Sequence, residues 1–428
     1  MDISKIRKDF PFLKEKIKGR DIIYFDNAAT TQKPVQILKT IQTYYSKYNA
    51  AVSRSTHEIS NIASAMYRQA HENVARFIGA RSYQEIIFVR NSTEAINLVC
   101  YSLALCADKT IGFSPGDEII LPISEHHSNL VPWQRLKELF GITIAVVGIN
   151  DSGTVDPDDI RKLITAKTRL ICCAHVSNVL GTINPVKEIA GIAHEAGAFV
   201  LVDGTQSAPH MPVNVRDIDC DFFAFSGHKM LAPLGIGVLH GKKELLEKMP
   251  PFLSGGGMIA DVTLERATWN ELPWKFEAGT PEVCGAIALG GAVDPNSGDR
   301  LEGAIDYLGK IGMENVFRHE TELAGYTLEK LSAIDGVIVY VPTESTKRCG
   351  IISFNIIKNG EIVSPNVIAN FLNDDGIAVR AGGLCAFPLT RSLNAEGVVR
   401  VSFYIYNMKH EIDIFIDSIT SIISKKII

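Results

Sequence analysis

Seven short apolar runs between residues 85 and 241, each ending on a small or polar residue, constrain this chain more than any other feature. They are "EIIFVR" (85–90), "DEIILPI" (117–123), "TIAVVGI" (143–149), "RLICCAHVS" (169–177), "AFVLVDG" (198–204), "DFFAFSG" (221–227) and "GIGVLHG" (235–241). A run that is apolar throughout, instead of alternating, belongs to a strand covered on both faces, and helical patterns separate these runs. They predict an α/β fold with a mostly parallel seven-stranded sheet, in which one of the last two runs is close enough to its neighbour to lie antiparallel. Ligands of such sheets bind beyond the carboxyl ends of the strands, so the residues that follow each run are the first suspects.

At 428 residues the chain is too long for one small core. From about residue 295 the pattern changes to a mixture of helices and strands, which predicts a smaller α+β domain. The expected division is an N-terminal segment, 1–24, packing with the small domain, a large ligand-binding domain, 25–294, and a small C-terminal domain, 295–428. The stretch "DPNSGDR" (294–300) reads as a turn by composition. Lys and Arg total 43 against 48 Asp and Glu, and a net charge of −5 argues against nucleic acid or an anionic membrane as partner. No apolar stretch is long enough to span a bilayer, the N-terminus lacks a secretory core, and a cytoplasmic location is expected. The eight cysteines contain no C-x-x-C pair, which fits neither a zinc framework nor a disulfide scaffold.

The strand ends carry chemistry. "AFVLVDGTQS" ends on Asp203, with Gln206 three residues on, and "DFFAFSGHK" ends on Ser226, Gly227, His228 and Lys229. A lysine and a carboxylate at one sheet edge are what pyridoxal phosphate needs: an amine to hold it covalently and an acid for its ring nitrogen. Taken singly, each also suits a capping aspartate or a solvated lysine. Ser92 and Thr93 of "VRNSTEAINL" open a helix, where they could face a phosphate or serve as a plain N-cap. In "SEHHSN", His126 and His127 could stack on a ring or pack locally, and no zinc spacing accompanies them. In "VRAGGLCAFPL" (379–389), Cys385 sits in a glycine-rich turn near Arg380, a better setting for a reactive thiol than for a packed one.

The motifs "HVSNVLG", "VDGTQS", "FSGHK", "EHHSN", "FEAGTP" and the arginine–cysteine loop, taken jointly, resemble the SUF-type cysteine desulfurase and selenocysteine lyase group. These are class V aminotransferases of the fold-type I pyridoxal phosphate enzymes. The resemblance, which runs from about residue 10 to the C-terminus, implies a homodimer that takes sulfur from L-cysteine and leaves it as a persulfide on Cys385, for iron–sulfur clusters or a related pathway. It implies that Lys229 binds the cofactor and moves the Cα proton, that Asp203 pairs the ring nitrogen, that His126 stacks on the ring and that Gln206 contacts the ring hydroxyl. Thr93, Ser226 and His228 would hold the phosphate, with Thr280 reaching the partner's phosphate. Asn178 and Arg380 would bind the substrate carboxylate, while His57 and Arg400 match positions near the active site. The chain departs from the group at Gly383 and Leu384, where many relatives carry one or two histidines. Alternatives within the cofactor class are a selenocysteine lyase, a cysteine sulfinate desulfinase or another class V enzyme. A non-catalytic subunit on the same fold is the alternative outside it.

Overall fold

A computed structural model describes residues 1–53, 55–340 and 348–424. The seven runs form seven strands of one sheet: β1 (Ile86–Val89), β2 (Glu118–Pro122), β3 (Thr143–Val147), β4 (Thr168–Ala174), β5 (Phe199–Asp203), β6 (Phe222–Ser226) and β7 (Gly237–Gly241). Their spatial order is β1-β7-β6-β5-β4-β2-β3. The pairs from β6 through to β3 are parallel, whereas β7 is antiparallel to both β1 and β6. The short link from β6 to β7 explains the reversal, because a parallel crossover needs a dozen or more residues.

The alternation of the pleat sends successive side chains to opposite faces, and here both faces are apolar cores. Ile171, Cys173, Val200, Val202, Phe223 and Phe225 point into one. Leu170, Cys172, Leu201, Phe222 and Ala224 point into the other. Helix α1 (Glu58–Phe77) and helix α3 (Val283–Gly290) cover the first face, and α2 (Ser92–Ala104) covers the second. Residues Ala292–Val293 and Arg300–Leu301 pair antiparallel, so "DPNSGDR" supplies the turn of a small hairpin.

Beyond it, α4 (Met313–Ser332), α5 (Pro365–Asp374) and α6 (Lys409–Ser424) surround an antiparallel sheet. Its main strands are β8 (Val337–Val339), β9 (Ile351–Lys358), β10 (Arg380–Gly382) and β11 (Val398–Ser402), in the order β8-β9-β11-β10. Phe25, Phe354, Val399, Val401 and Phe415 fill its core. The N-terminal segment touches both layers. Ile23–Tyr24 pairs in parallel with Ile377–Ala378, while Phe10 and Leu13 join the first core of the large sheet. No helix among the described residues is long and apolar enough to cross a membrane.

Candidate active site

The carboxyl ends of β4, β5 and β6, the start of α2 and the strands β10 and β11 converge on a cavity of about 280 Å³. Its lining includes Lys229, Asp203, His126, Gln206, Thr93, Ser226, His228, Asn178, Arg380, Arg400 and Cys385. Eleven residues expected from the sequence therefore meet in one place. Two do not: His57 is exposed and caps α1, its Nδ1 accepting the N–H of Ser60 at 3.2 Å. Thr280, also exposed, lines a different cavity of about 780 Å³ with Gly256, Gly257 and Trp274.

Lys229 follows β6 on a single tight turn, with its amine enclosed by the cavity. Desolvation pushes that amine down to about 8, Arg400 adds repulsion, and Asp203 pulls the other way. Asp203 ends β5, nearly buried, and its Oδ1 accepts the N–H of Thr205 at 2.9 Å. His126 lies nearby, held by its Nδ1, which accepts the N–H of Ser128 at 3.1 Å. Burial first, opposed by Asp203 and reinforced by Lys229, lowers it to about 4, so the ring is neutral at pH 7.

The cap of α2 is Asn91, whose Oδ1 accepts the N–H of Glu94 at 3.0 Å. This corrects the plain-cap reading of Ser92 and Thr93: they are the first residues of the helix, with hydroxyls available elsewhere. Ser92 Oγ lies 2.8 Å from Ser226 Oγ, and Thr93 Oγ1 lies 2.6 Å from Ser128 Oγ. β7 brings Gly237 so close that a Cβ there would stand 2.5 Å from the Cα of Asn91. Only glycine lets the helix start this near the sheet edge. The Ser92 N–H donates to Ser226 Oγ at 2.9 Å and the Glu94 N–H to Asn91, so the cradle this helix start can offer an anion is the Thr93 N–H with the hydroxyls of Ser92, Thr93 and Ser226.

Two buried oxygens at the cavity, Gln206 Oε1 and Thr205 Oγ1, have no partner among the described residues, although Gln206 Nε2 donates to the carbonyl of Ala28 at 2.8 Å. Buried polar atoms are seldom left unpaired, so this wall is built to meet polar groups of a ligand.

The two arginines differ. Arg400 is buried, donates from Nη1 to the carbonyl of Asn178 at 2.9 Å and pairs through Nη2 with Asp26 at 3.0 Å, leaving Nε unpartnered among the described residues. Arg380 is about half exposed and only 3.9 Å from the other oxygen of Asp26. Asn178 donates its amide to the carbonyl of Leu384 at 2.8 Å, tying the arginine corner to the cysteine loop. Cys385 is exposed, and the other seven cysteines are buried. Sequence reasoning missed Asp26, Ser128 and Thr205. The polar run "FDNAATT" after an apolar stretch was the available signal for Asp26.

The aminotransferase class-V family matches residues 23–415 of the chain. The chain is 48% identical over 413 residues to a probable cysteine desulfurase of Halalkalibacterium halodurans, covering 96% of each. It is 42% identical over 432 residues to a cysteine desulfurase of Haloferax volcanii, covering 98% of this chain and 96% of that one. The apo structure of a cysteine desulfurase from Thermococcus onnurineus NA1 matches with a TM-score of 0.89 at 38% identity, over 99% of this chain and 98% of the other.

Proposed function

Because the chain belongs to the aminotransferase class-V family, we propose that it is a pyridoxal phosphate-dependent L-cysteine desulfurase, which converts L-cysteine to L-alanine and keeps the sulfur as a persulfide on Cys385. The observation that carries this reading is the meeting, in one cavity, of an enclosed lysine, a buried carboxylate, a buried arginine and the exposed cysteine. The site fits the cofactor: Lys229 would hold it covalently and Asp203 would keep its ring nitrogen protonated. The unpartnered Gln206 oxygen and the neutral His126 ring suit its polar edge and its face. Thr93, Ser226 and His228 would hold its phosphate at the start of α2. Bound there, pyridoxal phosphate draws electrons from the substrate's Cα and makes that proton acidic.

The chain's own groups do the rest. Arg400, fixed by Asp26, binds the substrate carboxylate with Arg380, whose exposure lets it close on the ligand, and Asn178 links that grip to the loop. The amine of Lys229, brought near neutrality by desolvation, takes and returns the Cα proton. The Cys385 thiolate attacks the substrate sulfur. A sulfur–sulfur bond forms as the carbon–sulfur bond breaks, its electron pair stays on carbon, and protonation there gives alanine. The exposure of Cys385 leaves the persulfide open to an acceptor. In this reading the sulfur serves iron–sulfur cluster assembly or a related pathway in the cytoplasm. The enzyme is a homodimer in which Thr280, outside its own cavity, reaches the partner's phosphate.

The test is incubation of the holoenzyme with L-cysteine and a thiol reductant, with L-selenocysteine and cysteine sulfinate in parallel. Alanine and sulfide are expected in equal amounts, with a persulfide on the Cys385 peptide. Cys385→Ala should keep the cofactor's visible absorbance yet form no persulfide and release little sulfide. Transfer of the amino group to a keto acid, or full activity in Cys385→Ala, would overturn the reading.

A further inference from the structure

His127, the second imidazole of "EHHSN", lies outside the cavity lining but grips the cysteine loop at two points. Its backbone N–H donates to the carbonyl of Cys385 at 2.7 Å, and its Nε2 accepts the N–H of Phe387 at 3.1 Å. Its ring also packs on that of Phe387, with centroids 4.9 Å apart.

The loop needs such a grip. Leu384 and Cys385 have φ of 50° and 56°, consecutive left-handed residues without the freedom of glycine. That conformation costs energy and persists only where the surroundings enforce it. Part of the enforcement comes from the Leu384 side chain, buried among Val179, Leu180, Leu389 and Val398, and part from the Asn178 bond to its carbonyl. Those contacts fix the residue before the nucleophile. On its far side, Ala386 is buried in the same cluster and donates its N–H to the Gly383 carbonyl at 2.9 Å, and the contacts from outside the loop's own cluster come from His127. Phe387 covers Gly383, where a Cβ would stand 2.2 Å from ring carbons, so the ring that His127 packs on also closes the loop's base. Burial lowers the His127 imidazole below its ordinary value, which keeps Nε2 an acceptor at neutral pH.

We propose that His127 is a positioning residue for the nucleophile, its imidazole and backbone N–H clasping the peptides on the far side of Cys385 and so setting where the thiol stands. This rests on the reading of Cys385 as the sulfur acceptor. The imidazole is not among the groups that line the cavity.

The test compares His127→Leu, which removes the acceptor but keeps bulk, with His127→Gln, which restores an oxygen near the Nε2 position. In the holoenzyme, the Leu variant should retain the cofactor absorbance and the KM for L-cysteine. Its single-turnover persulfide formation should slow about three- to tenfold, the value of one lost hydrogen bond. Iodoacetamide alkylation of Cys385, the exposed thiol, should quicken severalfold as the loop loosens, and the Gln variant should return both rates toward the parent. Parent-like persulfide and alkylation rates in the Leu variant, or equal losses in the Leu and Gln variants, would overturn the clasp. If the parent itself forms no persulfide, the sulfur-acceptor reading fails, and the alkylation rates still decide whether His127 holds the loop.

Discussion

At the scale of single residues, desolvation does much of the chemical preparation. Lys229 titrates near 8 because its ammonium is enclosed beside Arg400, and its reactive form is the neutral amine. The rate at which apoprotein takes up pyridoxal phosphate should therefore rise with pH and reach half its maximum near pH 8, followed by visible absorbance. A flat profile through that range would separate Lys229 from the covalent step. Gly383 makes a steric prediction. Gly383→Ala drives a Cβ into the Phe387 ring and should slow desulfuration about tenfold, whereas Gly383→Ala with Phe387→Ala should recover most of the rate. Additive losses in the double variant would show that the ring and residue 383 do not compete for space.

Among the elements, the junction of β7 with α2 matters most to the anion cradle. A carbonyl-terminated strand end offers an anion nothing; the first turn of a helix offers free N–H groups. Gly237→Ala would push the two apart, because its Cβ would meet the backbone of Asn91 at 2.5 Å. That variant should lose about 1–3 kcal/mol of stability in denaturant unfolding and bind pyridoxal phosphate more weakly in titration. Unchanged affinity would mean that the cradle does not depend on this close approach. The positions of Lys229 and Asp203 were legible from the runs they terminate, since parallel neighbours β5 and β6 must end on the same edge. The cap of α2 was less legible. Asn91, Ser92 and Thr93 are all good capping residues, and only the backbone path selects among them.

Over the whole molecule, several histidines are held neutral by burial, and this shapes its response to acid. His175 is almost fully buried and lowered to about 4, with Nδ1 unpartnered among the described residues. Its folded value lies below the unfolded one, so its contribution is complete above about 6.5 and is lost as pH falls toward 4. The loss should approach about 3 kcal/mol across that window. His175→Gln should flatten the acid limb of stability measured by denaturant unfolding, while a limb as steep as the parent's would assign the effect to other groups.

What the sequence determined by itself was the sheet, its polarity and the residues delivered to its edge. Those follow from local pattern, since a strand buried on both faces must be apolar throughout and must end where polarity returns. The tertiary structure decided which distant groups meet. The Asp26–Arg400 pair spans 374 positions and the His127–Phe387 bond spans 260, and no local periodicity encodes either. The left-handed turn at Leu384 and Cys385 was equally hidden, because neither residue prefers it. It exists because an apolar pocket, an asparagine and a histidine from the other layer hold it, and those are long-range contacts that only the folded chain brings together.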